Sequence, residues 1–261
     1  MKTINKKDKE TIGYSIIGIC LVIFCILIVS ALALQGKDYN PETLCPDIVD
    51  AHTIVVLDKT DVLSANQQRY ILNFINKEKN RLETSEKFSI FTLTENTFMN
   101  PDPIFSKCNP GTGKTANQLY QNPRKIQMRF DSFFAEPLKK NMNKMLLDNT
   151  GSKSPIFEMI RELSARDDFS DDIPRRKLII ISDLLQHVSK FSHYKNRSSY
   201  EYFSNKSYAY NVATSLNSVD VKIVYLLRDN LGNIQGSRHL TFWKEYFEDM
   251  GANVIKVSNV R

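Results

Sequence analysis

The sequence predicts an α/β domain built on a doubly wound, mostly parallel sheet with helices on both faces, joined to one N-terminal transmembrane helix. Three observations predict it. An uncharged apolar stretch near the N-terminus is long enough to cross a bilayer. Beyond it, short apolar runs alternate with stretches of helical period, the pattern of strands linked by crossover helices. The clearest run, Lys177-Leu178-Ile179-Ile180-Ile181-Ser182-Asp183, is apolar on both faces, as a central parallel strand must be.

The 261 residues suit one domain plus an appendage, and 42% hydrophobic with 25% charged residues excludes a disordered or collagen-like chain. The net charge is +6, but part of it is the N-terminal group Lys2, Lys6, Lys7 and Lys9. No basic stripe remains for a nucleic acid, so none is expected as a partner.

Residues 11–36 carry no charge, and Ile16-Ile17-Gly18-Ile19-Cys20-Leu21-Val22-Ile23-Phe24 begins a run of the length a spanning helix needs, about 20 residues. The rival is a cleaved signal peptide, with Ser30-Ala31-Leu32-Ala33 as a weak cleavage site. The lysines before the helix place the N-terminus in the cytoplasm by the positive-inside rule. The predicted organisation is a cytoplasmic tail at 1–10, a transmembrane helix at 11–35, a linker at 36–50 and a domain at 51–261 with an extended loop over about 94–150. The domain is then periplasmic or extracellular, in a single-pass membrane protein. Cys45 and Cys108, the two cysteines of the soluble part, both lie in Pro-containing sequence. An oxidising compartment makes them a disulfide; two separate buried thiols are the alternative.

Within the domain, residues 53–57 are an apolar run ending in Asp58. Ser64 is positioned to cap a helix running to about Leu82. Lys87–Leu93 is a second strand, followed by a Pro- and Asn-rich segment at 94–122. A helix at 130–147 is expected to break near Pro137. Ser154-Pro155 reads as a helix start, with Ser154 as cap. After the strand at 177–183 come a polar loop at 186–207, a helix at 208–216 and a strand at 221–227. A helix at 238–250 stopped by Gly251 and a last strand at 253–257 complete the pattern.

Ligands of doubly wound sheets bind at the C-terminal strand ends, and Asp58 and Asp183 both stand there. Thr60 and Asp61 follow Asp58; Ser152 and Ser154 precede a helix. Carboxylates and hydroxyls are hard oxygen donors, suited to Mg²⁺ or a similar divalent cation.

These residues resemble the von Willebrand factor type A family, whose Rossmann-like fold opens with an apolar strand ending in Asp-x-Ser-x-Ser. It later uses a Thr before a helix and an Asp at the end of the following strand. Asp58 matches the first Asp, Thr60 the first hydroxyl, Ser154 the Thr and Asp183 the last Asp. The resemblance covers about 51–258 and implies a metal-ion-dependent adhesion site with Asp58, Thr60, Ser154 and Asp183 as ligands. Asp61 and Ser152 are possible additional ligands. The position of the second Ser is Val62, which supplies no ligand. A degenerate site whose side chains only bond the loops is the alternative. The resemblance implies protein–protein interaction, with a partner in the same envelope assembly, and no catalysis.

Two enzyme readings compete. Asp58-Lys59-Thr60 resembles the phosphorylated loop of haloacid-dehalogenase-type phosphotransferases, with Asp58 as nucleophile. That family also needs an acidic pair after a later strand, which this chain lacks. Residues 108–115, Cys-Asn-Pro-Gly-Thr-Gly-Lys-Thr, resemble a nucleotide-binding P-loop, but Cys108 stands where Gly is required and the nearby prolines argue against a preceding strand.

Overall fold

The computed structural model describes residues 6–33, 39–117, 121–146, 151–195 and 199–261. The chain divides into two compact units, residues 1–38 and Tyr39–Arg261.

The described part of the first unit is one helix, α1 (Lys6–Ala33). Its segment Gly13–Ser30 has a mean hydropathy of 2.6 and none of it is buried. It is apolar on every side, unlike a surface helix of a soluble domain. Its length and composition are those of a membrane span or a signal sequence. The Ser30 hydroxyl donates to the Ile26 carbonyl, so this polar group is satisfied within the helix. Of the expected span 11–35, residues 34 and 35 lie outside the described residues.

The second unit is a six-stranded sheet of order β3-β2-β1-β4-β5-β6. The strands are β1 (Ala51–Asp58), β2 (Lys87–Leu93), β3 (Phe105–Cys108), β4 (Arg175–Ser182), β5 (Val219–Leu226) and β6 (Asn253–Val260). All neighbours are parallel except β3, which runs antiparallel to β2. The chain winds outward from β1 to β3, then returns to the other side of β1 for β4, β5 and β6. The reversal opens a crevice between β1 and β4. Leu57 pairs with Ile181, so Asp58 and Ser182 end level.

Both sheet faces are covered. Ile54 and Val56 point into a core with α5 (Ile156–Ser164), α6 (Tyr200–Ser204), α7 (Ser207–Val212) and α8 (Ser237–Asp249). Val55 and Leu57 point the other way, into a core with α2 (Ala65–Lys79), α3 (Pro123–Phe130) and α4 (Glu136–Met145). This period-2 split of one apolar run is what a strand buried on both faces requires. Ser64 caps α2 as expected, within a reciprocal capping box with Gln67.

Four expectations are corrected. The linker at 36–50 is not free over its described part. Leu44 is buried in the core, Cys108 N–H donates to Thr43 O at 2.8 Å, and Cys45 is disulfide-bonded to Cys108. That bond closes a separation of 63 residues, and in the chain-entropy account stabilises by about 4 kcal/mol.

Among its described residues, the extended loop at 94–150 holds β3, α3, a π-helical turn and α4. Edge strand β3 pairs on one side only, so Pro101 and Pro103 just before it do no harm. α3 starts at Pro123, with the Asn122 side chain accepting from Lys125 N–H. The helix does not end at Pro137. A π-helical turn at Asp131–Ala135 precedes it, in which Glu136 N–H bonds to Asp131 O, and α4 continues through the proline. Leu147 lies outside the described residues.

The polar loop at 186–207 and the helix at 208–216 become α6, α7 and a buried aromatic set. Phe191, Tyr200, Phe203 and Tyr208 gather around Phe157 and Phe242. Finally, the adjacent Arg175 and Arg176 read in sequence as a short, solvated basic pair, and Arg176 departs from that. It lies buried at the start of β4, bonded to Asp171 and to the Phe169 and Asn217 carbonyls.

Candidate functional site

The crevice between β1 and β4 collects the residues singled out by sequence. Asp58 ends β1 and is 3% exposed. Its Oδ1 accepts from Thr60 N–H at 3.0 Å and from the Thr60 hydroxyl at 2.7 Å. Its Oδ2 accepts from the Ser182 hydroxyl at 2.6 Å and from the Ser154 hydroxyl at 3.4 Å. Asp183 follows β4 and is 1% exposed. Its Oδ1 accepts from Leu185 N–H, and its Oδ2 from Arg228 Nε at 2.8 Å. Asp58, Thr60, Ser154 and Asp183 therefore form one buried cluster.

Each position has a local cause. Ser154 is not the helix cap that the sequence suggested: α5 begins at Ile156, and its cap residue is Pro155, which makes no side-chain bond. Gln186 does the capping instead, its Oε1 accepting from Ile156 N–H at 2.6 Å and Phe157 N–H at 3.1 Å. Ser154 is thereby free to face Asp58. A two-way backbone pairing with His187 holds it there. Leu184 adopts φ 60°, in the left-handed region, and so turns the chain sharply after Asp183. The turn is fixed from both sides: Leu184 N–H donates to Ser182 Oγ, and the Leu184 carbonyl accepts from Trp243 Nε1. Backbone strain held by surrounding structure is a property of functional sites.

The remaining expected residues sit at the rim. A cleft of about 220 Å³ opens above the cluster, lined by Thr60, Asp61, Ser152, Ser154, His187 and Tyr194 among others. The Asp61 side chain is half exposed, 3.9 Å from Arg228 Nη2. The Ser152 hydroxyl turns to Glu95, which also pairs with Lys153.

The electrostatics are lopsided. Burial pushes the Asp58 carboxyl above its ordinary range. Burial, with the Asp58 charge next, pushes Asp183 up to about 7. Arg228 is the one cation in contact with either carboxylate among the described residues. It also donates from Nη1 to the Val62 carbonyl at 2.6 Å. Its backbone is fixed by Gln235, whose Oε1 accepts from Arg228 N–H and whose Nε2 donates to the Asp183 and Leu226 carbonyls. Tyr194 feels the same excess of negative charge: burial first, then Asp183, push it up to about 12.

Sequence reading missed Arg228, Gln186 and Gln235. A signal for Arg228 existed, because it follows β5 at the same sheet edge as Asp183. The two glutamines gave none; each bonds backbone groups brought near only by folding.

The donors suit a hard divalent cation in kind. The Thr60 and Ser154 hydroxyls spend their protons on Asp58 and keep lone pairs. Among the described residues, no group of three or more His, Cys, Asp or Glu is placed to hold a metal. Val62 directs an exposed side chain outward.

The enzyme rivals find less support. Both Asp58 oxygens already accept hydrogen bonds below the cleft floor. At the P-loop-like segment a strand does precede, contrary to expectation, but it ends in the disulfide-bonded Cys108. Gly111 N–H donates to Asn109 and Gly113 N–H to Gln127, so these amides are committed inside the protein rather than turned outward to cradle phosphate. His187 bonds Ser192, and His193 is buried among aromatic edges rather than on the surface.

A comparison with protein-family models gives no match, and a search of curated proteins gives none either.

Proposed function

We propose that this protein is a membrane-anchored interaction module of the von Willebrand factor type A kind, docking a protein partner on the cleft above Asp58 and Asp183. α1 is its single membrane span, with the N-terminus cytoplasmic and the domain on the periplasmic or extracellular side. The partner belongs to the same envelope assembly, where tethering both proteins raises their effective concentration. The observation that carries this reading is the pair of buried carboxylates beneath an open cleft, with one guanidinium on Asp183 and none on Asp58 among the described residues. Burying like charges side by side is costly unless something positive joins them.

Asp58, Thr60, Ser154 and Asp183 would hold a divalent cation such as Mg²⁺. The cation would present a positive centre to an acidic side chain of the partner. The disulfide supports an oxidising compartment.

Calorimetric titration of the full chain in detergent with Mg²⁺ and Mn²⁺, beside Asp58→Asn, tests the cation. Saturable binding in the wild type, lost in a variant that still unfolds cooperatively, is expected. Equal binding by both proteins would remove these four residues from the reading.

A further inference from the structure

We propose that Arg228 is a built-in competitor for the cation at this site, so that a divalent ion reaches Asp183 only by displacing the Arg228 side chain. The inference rests on the cation reading above and adds what controls occupancy.

Arg228 Nε lies 2.8 Å from Asp183 Oδ2, where the guanidinium takes the place of an added cation. The pair is shielded: the Arg228 side chain is 16% exposed and that of Asp183 2%. Coulomb attraction is strong where water is excluded. A guanidinium keeps its charge at any ordinary pH, so the competitor cannot be titrated away. Its second arm grips the Val62 carbonyl. Val62 stands where the type A pattern places a hydroxyl ligand. The chain thus lacks one ligand and carries a cation instead, both changes at one spot.

The arrangement is able to open. Gln235 and the Leu227–Val260 backbone bond hold the backbone around Arg228, so a rotation of the side chain alone frees Asp183. Asp61, half exposed on the rim, is the nearest acceptor for the displaced group. Release also frees the carbonyl of Val62, an exposed residue next to the rim residue Asp61. Cation binding would then loosen the rim that faces a partner.

The test is Mn²⁺ titration of the full chain in detergent, comparing wild type, Arg228→Gln, Arg228→Lys and Asp58→Asn/Arg228→Gln. Arg228→Gln is expected to bind Mn²⁺ at least tenfold more tightly than wild type. Arg228→Lys, which keeps the charge but loses the two-armed grip, should fall between them. The double variant should lose the gain. Equal affinity in wild type and Arg228→Gln would overturn the competition and leave the cation reading standing. No binding by any variant would overturn both. If Arg228→Gln does not fold, Arg228→Lys decides alone, and an affinity equal to wild type counts against the proposal.

Discussion

The two ends of the sheet treat buried charge in opposite ways. At the N-terminal end, where β1, β2 and β4 begin, polar groups are matched. Asp168 is gripped by Lys87 and Arg166, Arg176 by Asp171, and Glu86 accepts from Thr53. His52 is fully buried, one ring nitrogen bonded to the Asp168 carbonyl and the other to Ser89 Oγ. At the C-terminal end, Asp183 is paired with Arg228, while Asp58 has only hydroxyl and amide donors among the described residues. One end is closed by its own residues; the other is left needing a positive partner. On the proposed function, the difference separates a structural end from a binding end.

Removing a group at the closed end should do the most damage to stability. His52→Ala opens a cavity beside Phe169 and strands two hydrogen-bonding partners, and should cost about 3 kcal/mol in denaturant unfolding. Asp58→Asn, at the open end, should change stability by less than about 1 kcal/mol at pH 8, because it also removes like-charge repulsion. A larger loss for Asp58→Asn than for His52→Ala would reverse the assignment of the ends.

Gln186→Leu should cost about 2 kcal/mol, since it uncaps α5 and leaves Glu158 and Tyr208 without its amide. It should also weaken cation binding, by letting Ser154 drift. Unchanged calorimetry in a destabilised variant would show that Ser154 is placed without Gln186.

The ends should also differ in their response to pH. Burial lowers His52 to about 4, below its unfolded value of about 6.5. Its stabilising contribution is complete above about 6.5 and is lost as pH falls toward 4. Asp183 is raised to about 7, so its contribution is complete below its unfolded value near 4 and is lost as pH rises through 7. Between about pH 4 and 6.5 the two contributions oppose each other. Asp183→Asn should therefore steepen the fall in melting temperature from pH 7 to pH 5. An unchanged pH profile would mean that Asp183 does not titrate in this range.

The smallest effect is expected at the rim. Ser152→Ala should alter stability by less than about 0.5 kcal/mol and leave Mg²⁺ binding unchanged, because its hydroxyl serves Glu95. A calorimetric change would place Ser152 among the ligands after all.

The open end was the more legible in sequence, and for a physical reason. Strands β1 and β4 are buried on both faces and read as continuous apolar runs, so the Asp residues closing them stood out. The capping box at Ser64 was equally local. What escaped notice depends on partners far apart in the chain. β3 has a short, one-sided pairing between prolines. α6 and the aromatic cluster at 191–208 are hidden by interspersed Ser and Lys. Ser154 looked like a cap because nothing local shows that Gln186, across the crevice, has taken that role. The closed end gave no signal for the same reason: Asp168 and Arg176 find their partners only on folding.

On the proposed function, this protein meets its partner at the C-terminal edge of β1 and β4. The most direct test places a photo-crosslinking amino acid at Lys153 on the cleft rim, or at Arg175 on the opposite end of the sheet, in the full chain in its native membrane. Adducts from position 153 that vanish with Asp58→Asn, and none from position 175, are the predicted result. Adducts from position 175, or from position 153 regardless of Asp58, would contradict it.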